Sequence, residues 1–281
     1  MDVAEGPKLS QIAVSRMADS NEVAILRRLR EETSTIGDLS KNTGLSAAQI
    51  ENALESLGSS GFIFKRTNGV ICLFSEPESL VPQSILARLE TKIIGRDVLV
   101  FHETSSTNDL ARKAGTGGAA EGIVFFAEHQ TAGRGTRGRK WISVSNQGLW
   151  FSILLRSRLS LDQFPLLIQM AAIAAAETVE RWSEQPVLIK PPNDLYLGGG
   201  KLGGFLLETS NGWDFQVLVI GINVRSAPEI DGYPTAALDQ FIKSPISRAE
   251  LAADVLNRFE DWYLKAPLEA VERTFAGRRI I

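Results

Sequence analysis

Apolar positions change their spacing along the chain, and the changes divide it. From Asn21 the period is helical. Val23, Leu26 and Leu29 share one face of a first short helix, and Ile36, Leu39 and Leu45 continue the apolar series. Gly44 sits in a bend, and Ser46 is a fitting N-cap for a helix that carries Ile50, Ala53, Leu54 and Leu57. The run "GFIFKRTNGVICLF" then reads as two strands around an Asn-Gly turn. Helix, glycine turn, helix and hairpin predict a winged helix-turn-helix over about residues 20–75, with residues 1–18 loosely structured. A linker with Pro77 and Pro82 as breakers leads into a short helix.

Beyond it the texture becomes strands, loops and occasional helices. Strands are predicted near 97–102, 122–128, 148–155, 186–190, 201–208 and 214–222. Helices are predicted near 107–114, 163–182, 247–264 and 267–275. The pattern implies an α+β chain: an N-terminal unit with its linker over residues 1–78, and a mixed sheet covered by helices over residues 79–281.

Composition narrows the field. With 281 residues and 44% hydrophobic content the chain can bury a real core. A net charge of −3 gives no global attraction to nucleic acid or anionic membrane, so any anion site has to be local. Cys72 is the single cysteine, which excludes an intrachain disulfide and a thiolate metal cluster. His102 and His129 are the two imidazoles, which argues against zinc. The N-terminus lacks the pattern of a signal peptide. The most apolar run, Phe164 to Ala176, is shorter than the roughly 20 residues of a membrane span. A buried helix and a cytoplasmic protein are the expectation.

Four stretches carry candidate chemistry. In "ETSSTND", Ser106, Thr107 and Asn108 set two hydroxyls and an amide after a strand, although a helix N-cap would use the same residues. In "TAGRGTRGRKW", Arg134, Arg137, Arg139 and Lys140 stand among Gly133, Gly135 and Gly138, and Trp141 follows. Glycines allow close backbone approach, guanidinium groups hold anions, and an indole stacks on a base. The spacing is not a Walker loop, and the dinucleotide fingerprint lacks its following helix. A solvated basic loop explains such density less well than an anionic ligand does. In "KPPNDLYLGGGKLGG", Asn193 and Asp194 present an amide and a carboxylate, a plausible Mg²⁺ ligand beside phosphate, and Lys201 can offset charge at a reacting carboxyl or phosphate. A β-turn would also use "NDLYLGGGK". In "GIN", Asn223 ends an apolar strand.

Together the four ordered motifs resemble those of the biotin protein ligases of the bifunctional type, which carry an N-terminal winged helix. The resemblance spans about residues 20–281. It implies a catalytic domain of the biotin/lipoate ligase, class II synthetase-like type. It implies that biotin and MgATP form biotinyl-5′-adenylate, whose acyl group passes to a lysine of the biotin carboxyl carrier domain of acetyl-CoA carboxylase. By the family pattern, Ser106, Thr107, Asn108, Gln130, Arg134, Gly135, Thr136, Lys201 and Gly204 bind biotin. Arg137, Arg139, Trp141, Asn193 and Asn223 serve the nucleotide, and Asp194 the metal. Lys201, Arg134 and Arg137 stabilise the reacting charges, with the basic loop as a lid over the acyl phosphate.

The chain departs from the family at three points. Thr136 stands where these ligases carry arginine, Pro191 where they carry a bulky aromatic, and the small C-terminal SH3-like barrel is expected to be absent. Repressor function, operator DNA and a homodimer also follow from the bifunctional type. Ser46, Gln49, Asn52, Lys65 and Arg66 are the candidate DNA contacts, against an N-terminal helix that holds Glu51 and Glu55 and no Lys or Arg. Competing readings are a packing domain without a ligand, a DNA-binding biotin sensor with weak or lost ligase activity, and a lipoate-type acyl ligase.

Overall fold

Three capping boxes start the described part of the chain. The structure, a computed structural model, describes residues 19–280; the loosely structured segment expected at 1–18 lies outside them. Asp19 with Glu22, Thr35 with Asp38 and Ser46 with Gln49 each close a reciprocal cap. They begin α1 (Ser20–Glu31), α2 (Ile36–Thr43) and α3 (Ala47–Ser59). Gly44 ends α2 at φ 73°, a left-handed conformation that glycine adopts freely. Two residues, Ser34–Thr35, form β1, and β2 (Ile63–Thr67) and β3 (Val70–Ser75) turn through Asn68 and Gly69, both at positive φ. The sheet order is β1-β3-β2. Ile25, Leu29, Leu39, Ile50, Leu54 and Ile71 form the core beneath it.

Pro82, expected to break the chain, instead opens α4 (Pro82–Leu86), where its missing N–H is no loss. The segment is bound to both sides. Leu26, Leu57 and Phe62 share a cluster with Ala87, and Gln83 donates to Glu22. Glu76 lies between Arg30 and Arg88. Burial raises the Glu76 carboxyl, but Arg88 and Arg30 outweigh it and hold the group below its ordinary value.

The larger sheet has the order β4-β5-β6-β10-β9-β8-β7. Its strands are β4 (Asp97–Thr104), β5 (Ile123–Gln130), β6 (Gly148–Leu155), β7 (Leu188–Lys190), β8 (Asp194–Leu197), β9 (Gly200–Thr209) and β10 (Gln216–Asn223). Only β4 and β5 pair in parallel, joined through α5 (Thr107–Thr116); the other neighbours are antiparallel. The mixed sheet is thus as expected, with one correction. "NDLYLGGGK" is no simple turn: β8 and the start of β9 form a hairpin with Gly198 and Gly199 at positive φ in the bend.

Alternate residues of each strand face opposite ways. Leu218, Ile220 and Ile222 of β10 join the large core with α6 (Pro165–Ser183), α7 (Arg248–Lys265) and α8 (Leu268–Gly277). Val217 and Val219 face the other side, where Phe101, Phe125, Leu154 and Phe215 pack with α5. The alanine run of α6 lets this helix lie close to the sheet, and Ala171 to Ala176 are fully buried. Among the described residues no helix is long and apolar enough to cross a membrane.

Candidate active site

Along the α5 face of the sheet, side chains shrink in one direction. Cross-strand pairs run from Val217 with Glu208, through Val219 with Leu206, to Gly221 with Gly204. The glycine pair opens a floor, and the Trp141 indole lies on it. A β-carbon added at Gly221 would come within 2.6 Å of the Trp141 ring, and one at Gly204 within 3.3 Å. Trp150, on the adjacent strand, meets Trp141 edge-on at 6.0 Å between centroids. Above the floor is a cavity of about 880 Å³, bounded by the loop from Arg134 to Ile142, by Lys190 to Asp194, and by Lys201.

The basic loop leaves β5 at Gln130 and returns to β6 at Gly148. Arg134 and Lys140 bridge across its base. At its tip Thr136 to Gly138 make a 3-10 turn in which Arg137 has φ 57°, and Arg139 donates to the carbonyl and hydroxyl of Thr136. Arg134 points back to α5 and donates from both Nη atoms to Asp109, at 3.0 and 2.6 Å. Those hydrogen bonds and the Asp109 charge raise the already high guanidinium pKa, so Arg134 stays cationic throughout the working range. Glu208 lies 4.0 Å from its Nε and also pairs with Arg112.

Lys201 and Asp194 face each other across β8 and β9, with Nζ 2.7 Å from Oδ1. The ammonium is also 5.6 Å from the Trp141 ring centroid, within the range of cation–π attraction. Asn193 is committed to structure, donating to the Phe205 carbonyl at 2.7 Å. Asn223 donates to Ala236 and Lys201 carbonyls, and its Oδ1 is buried without a partner.

The expected biotin residues divide into two layers. Gln130, Arg134, Gly135, Thr136, Lys201 and Gly204 line the cavity. Ser106, Thr107 and Asn108 lie buried behind it at the start of α5. Thr107 donates from N and Oγ1 to Gln130 Oε1 at 2.9 and 3.2 Å, and its hydroxyl lies 2.8 Å from that of Ser152. Ser106 occupies the N-cap position, yet its side chain caps nothing. The Asn108 amide, 1% exposed, has no hydrogen-bond partner at either end. Buried amides are ordinarily satisfied, so the site retains unused donors and acceptors near the cavity. The expected nucleotide residues Arg137, Arg139, Trp141, Asn193 and Asn223 all line it.

Sequence reasoning missed one wall. Pro228, Ile230, Tyr233 and Thr235 close the cavity from a loop after β10, which is fixed because Lys201 N donates to Pro234 O and Ala236 N to Lys201 O. An aromatic beside prolines in "PEIDGYPTAAL" was the available signal.

The candidate DNA contacts are mostly engaged within the N-terminal unit, and Lys65 and Arg66, adjacent in β2, face opposite ways. Gln49 Oε1 accepts from Ser46 N and Oγ. Arg66 grips Glu51 through both Nη atoms, which lowers the Glu51 carboxyl pKa. Lys65 Nζ lies 3.2 Å over the Phe74 ring, and Asn52 is exposed.

Comparison with known proteins agrees with this geometry. Residues 100–224 match the biotin/lipoate A/B protein ligase family. The bifunctional ligase/repressor BirA of Bacillus subtilis is 32% identical over 199 residues, covering 68% of this chain and 61% of that protein. The biotin–[acetyl-CoA-carboxylase] ligase of Mycobacterium tuberculosis is 35% identical over 171 residues, covering 59% and 63%. The chain thus spans about three fifths of these relatives' length. The biotin protein ligase of Aquifex aeolicus, solved with biotin and ATP, superposes with a TM-score of 0.57 at 26% identity, over 66% of this chain and 79% of that one. From floor to basic loop the cavity falls within residues 100–224, the segment that is similar to the biotin/lipoate A/B protein ligase family, or borders it.

Proposed function

We propose that this protein is an ATP-dependent biotin protein ligase acting in the cytoplasm. The observation that carries the reading is the meeting of a basic loop, Lys201 and a glycine floor at one cavity. The biotin carboxylate attacks the α-phosphorus of ATP, and the bond to pyrophosphate breaks. The acceptor lysine, as the free amine, then attacks the acyl carbon of biotinyl-5′-adenylate. Its C–O bond breaks, AMP leaves, and the nitrogen loses a proton. Two anions meet in the first step, so preorganised cations do most of the work. Lys201 serves the carboxylate and α-phosphate once it exchanges Asp194 for substrate. Arg134 and Arg137 close over the acyl phosphate and exclude water. Gln130, held by Thr107, turns its amide toward biotin, with Gly135, Thr136 and Gly204 around it and Ser106 and Asn108 in the layer behind. Arg139, Trp141, Asn193 and Asn223 receive the nucleotide.

Magnesium enters this reading with the nucleotide. Among the described residues no three His, Cys, Asp or Glu side chains gather as a metal cage, and Asp194 is the one carboxylate lining the cavity. That set fits Mg²⁺, which commonly takes one or two carboxylates and completes its shell with water and phosphate oxygens. When bound, the ion would offset phosphate charge.

Incubation with MgATP and biotin, lipoate or octanoate in turn, followed by mass detection of the acyl adenylate, tests the assignment. Biotinyl-adenylate, and labelling of a biotin carboxyl carrier domain of acetyl-CoA carboxylase, are the expected products. A lipoyl or octanoyl adenylate in their place would move the protein to lipoate-type ligation, and no adenylate would favour a sensor.

A second role rests on the helices and hairpin of residues 20–75, which we infer form a winged helix-turn-helix that binds operator DNA as a homodimer. Ser46, Gln49, Asn52, Lys65 and Arg66 would contact it, with Arg66 released from Glu51. Anisotropy titrations with the protein's own promoter, with and without biotin and ATP, should show ligand-dependent, sequence-specific binding. Equal, weak binding to any duplex would leave the unit as a packing domain.

A further inference from the structure

Arg248 opens α7 and is 2% exposed. A cation in a helix's first turn opposes the helix dipole, so another interaction must hold it there. That interaction engages both Nη atoms, while Nε is buried without a partner. Nη1 and Nη2 donate to the Glu128 carboxylate at 2.5 and 2.9 Å. Nη1 also reaches the Gly148 carbonyl at 3.2 Å, and Nη2 the Glu78 carbonyl at 3.0 Å and Asn146 Oδ1 at 3.1 Å. Glu128 in turn accepts from Leu80 N at 2.7 Å. One guanidinium thus binds β5, the first residue of β6, the segment between β3 and α4, and the chain just before β6.

The last of these contacts bears on the cavity. Residues 142–147 are the C-terminal root of the basic loop, and Trp141 hangs from them over the glycine floor. The root is held at its start by Ser143, whose hydroxyl accepts from Gln130 N and whose carbonyl meets His129. At its end the Gln147 carbonyl accepts from Val224 N and Arg225 N. Between them Asn146, at φ 61°, has its side chain on Arg248. Neither Arg248 nor Glu128 lines the cavity.

We propose that Arg248, set by Glu128, is a positioning residue for the ligase reaction: it fixes the C-terminal root of the basic loop through Asn146 and Gly148, and joins that root to the chain leading from the N-terminal unit. The proposal rests on the assignment of residues 131–141 as the lid. A lysine at 248 keeps the charge beside Glu128, but its single nitrogen cannot reach all four acceptor groups.

The test uses the full-length protein and two readouts. Trypsin cleavage after Arg137, Arg139 or Lys140 reports how firmly the loop is held, whatever reaction the protein performs. Steady-state adenylate formation separates KM for ATP from kcat. Asn146→Gly tolerates the left-handed backbone and removes the acceptor, and Asn146→Asp controls for the added backbone freedom of glycine. It should speed loop cleavage and raise KM for ATP, each by about tenfold, the equivalent of one lost hydrogen bond to a charged group, while kcat and Tm hold. Asn146→Asp, which keeps an acceptor, should restore both values, and Arg248→Lys should reproduce the Asn146→Gly effect. Unchanged cleavage and KM in Asn146→Gly would overturn the proposal. So would an Arg248→Lys protein that merely melts earlier. Absence of adenylate from the wild type would sink the ligase assignment instead, and the cleavage rates would still decide whether Arg248 holds the loop.

Discussion

Arg134 and Arg248 each meet a carboxylate through two nitrogens, Arg134 from within the loop that borders the cavity and Arg248 from outside it, at its C-terminal root. Their surroundings differ. The side chains of Arg134 and Asp109 are 36% and 47% exposed, those of Arg248 and Glu128 1% and 2%. Water and salt compete for the first pair, so holding it contributes little, about 0.2–1 kcal/mol. The second pair has no such alternative. Its charges were desolvated on folding, and either one left alone costs about 3–5 kcal/mol. If the loop is the proposed lid, the same chemistry makes an exchangeable latch at one root of it and a permanent anchor at the other. A lid needs both: one side that lets go of protein to take hold of substrate, and one that keeps the register.

The largest effect should come from breaking the anchor. Arg248→Met leaves the Glu128 carboxylate buried and unpaired, and should lower stability by about 3–5 kcal/mol in urea unfolding. Arg248→Met with Glu128→Gln removes both charges and should recover most of that loss. A single variant as mild as an exposed-pair variant would erase the contrast.

Lys201 tests the partly exposed middle case, since its ammonium sits on Asp194 at 2.7 Å and is half-buried. Lys201→Ala should slow adenylate formation by on the order of 10²-fold or more and leave the fold intact. Near-normal pyrophosphate release would remove Lys201 from the mechanism.

Thr136 concerns how well the latch side holds the intermediate. A threonine supplies no guanidinium, and its hydroxyl and carbonyl are engaged with Arg139. Without one charge-assisted contact the adenylate should escape roughly 10- to 100-fold faster and label bystander lysines. Thr136→Arg should slow release by that factor. Equal retention by the two forms would mean that Arg137 or another group already holds the phosphate.

The contrast between the pairs also explains what could be read beforehand. Period and turn chemistry located β6 at 148–155 to the residue, because "GLWFSILL" is buried on both faces and bounded by a glycine. They missed β8, whose Asp and adjacent glycines are poor strand formers and which exists because β7 and β9 flank it. The loop, Lys201, Asn193 and Asn223 were legible because charge, glycine and amide stand in short ordered motifs. Glu128 and Arg248 were not. They are 120 positions apart; Glu128 ends an apolar run and Arg248 stands in an ordinary polar helix start, so only the fold brings them together. The cut at residue 78 was an expectation from composition. The Glu78 carbonyl on Arg248 and the cluster of Leu26, Leu57 and Phe62 with Ala87 were beyond reach of local pattern.

The smallest effect, and the one that decides whether Arg134 is a latch at all, belongs to Asp109. Asp109→Asn keeps the shape and one acceptor and removes the charge. Because the pair is exposed, stability should change by less than about 1 kcal/mol. Binding is more informative. Every contact Arg134 makes with Asp109 is one it must give up for an anionic substrate, and Glu208 at 4.0 Å can retain it only in part. Freed of Asp109, Arg134 should meet ATP more readily, and KM for ATP should fall by up to about fivefold at low salt. The advantage should shrink as ionic strength rises, since screening already weakens the wild-type pair. A rise in KM would reverse the interpretation: Asp109 would then be aiming Arg134 at the substrate, and both arginines would be anchors that differ only in depth.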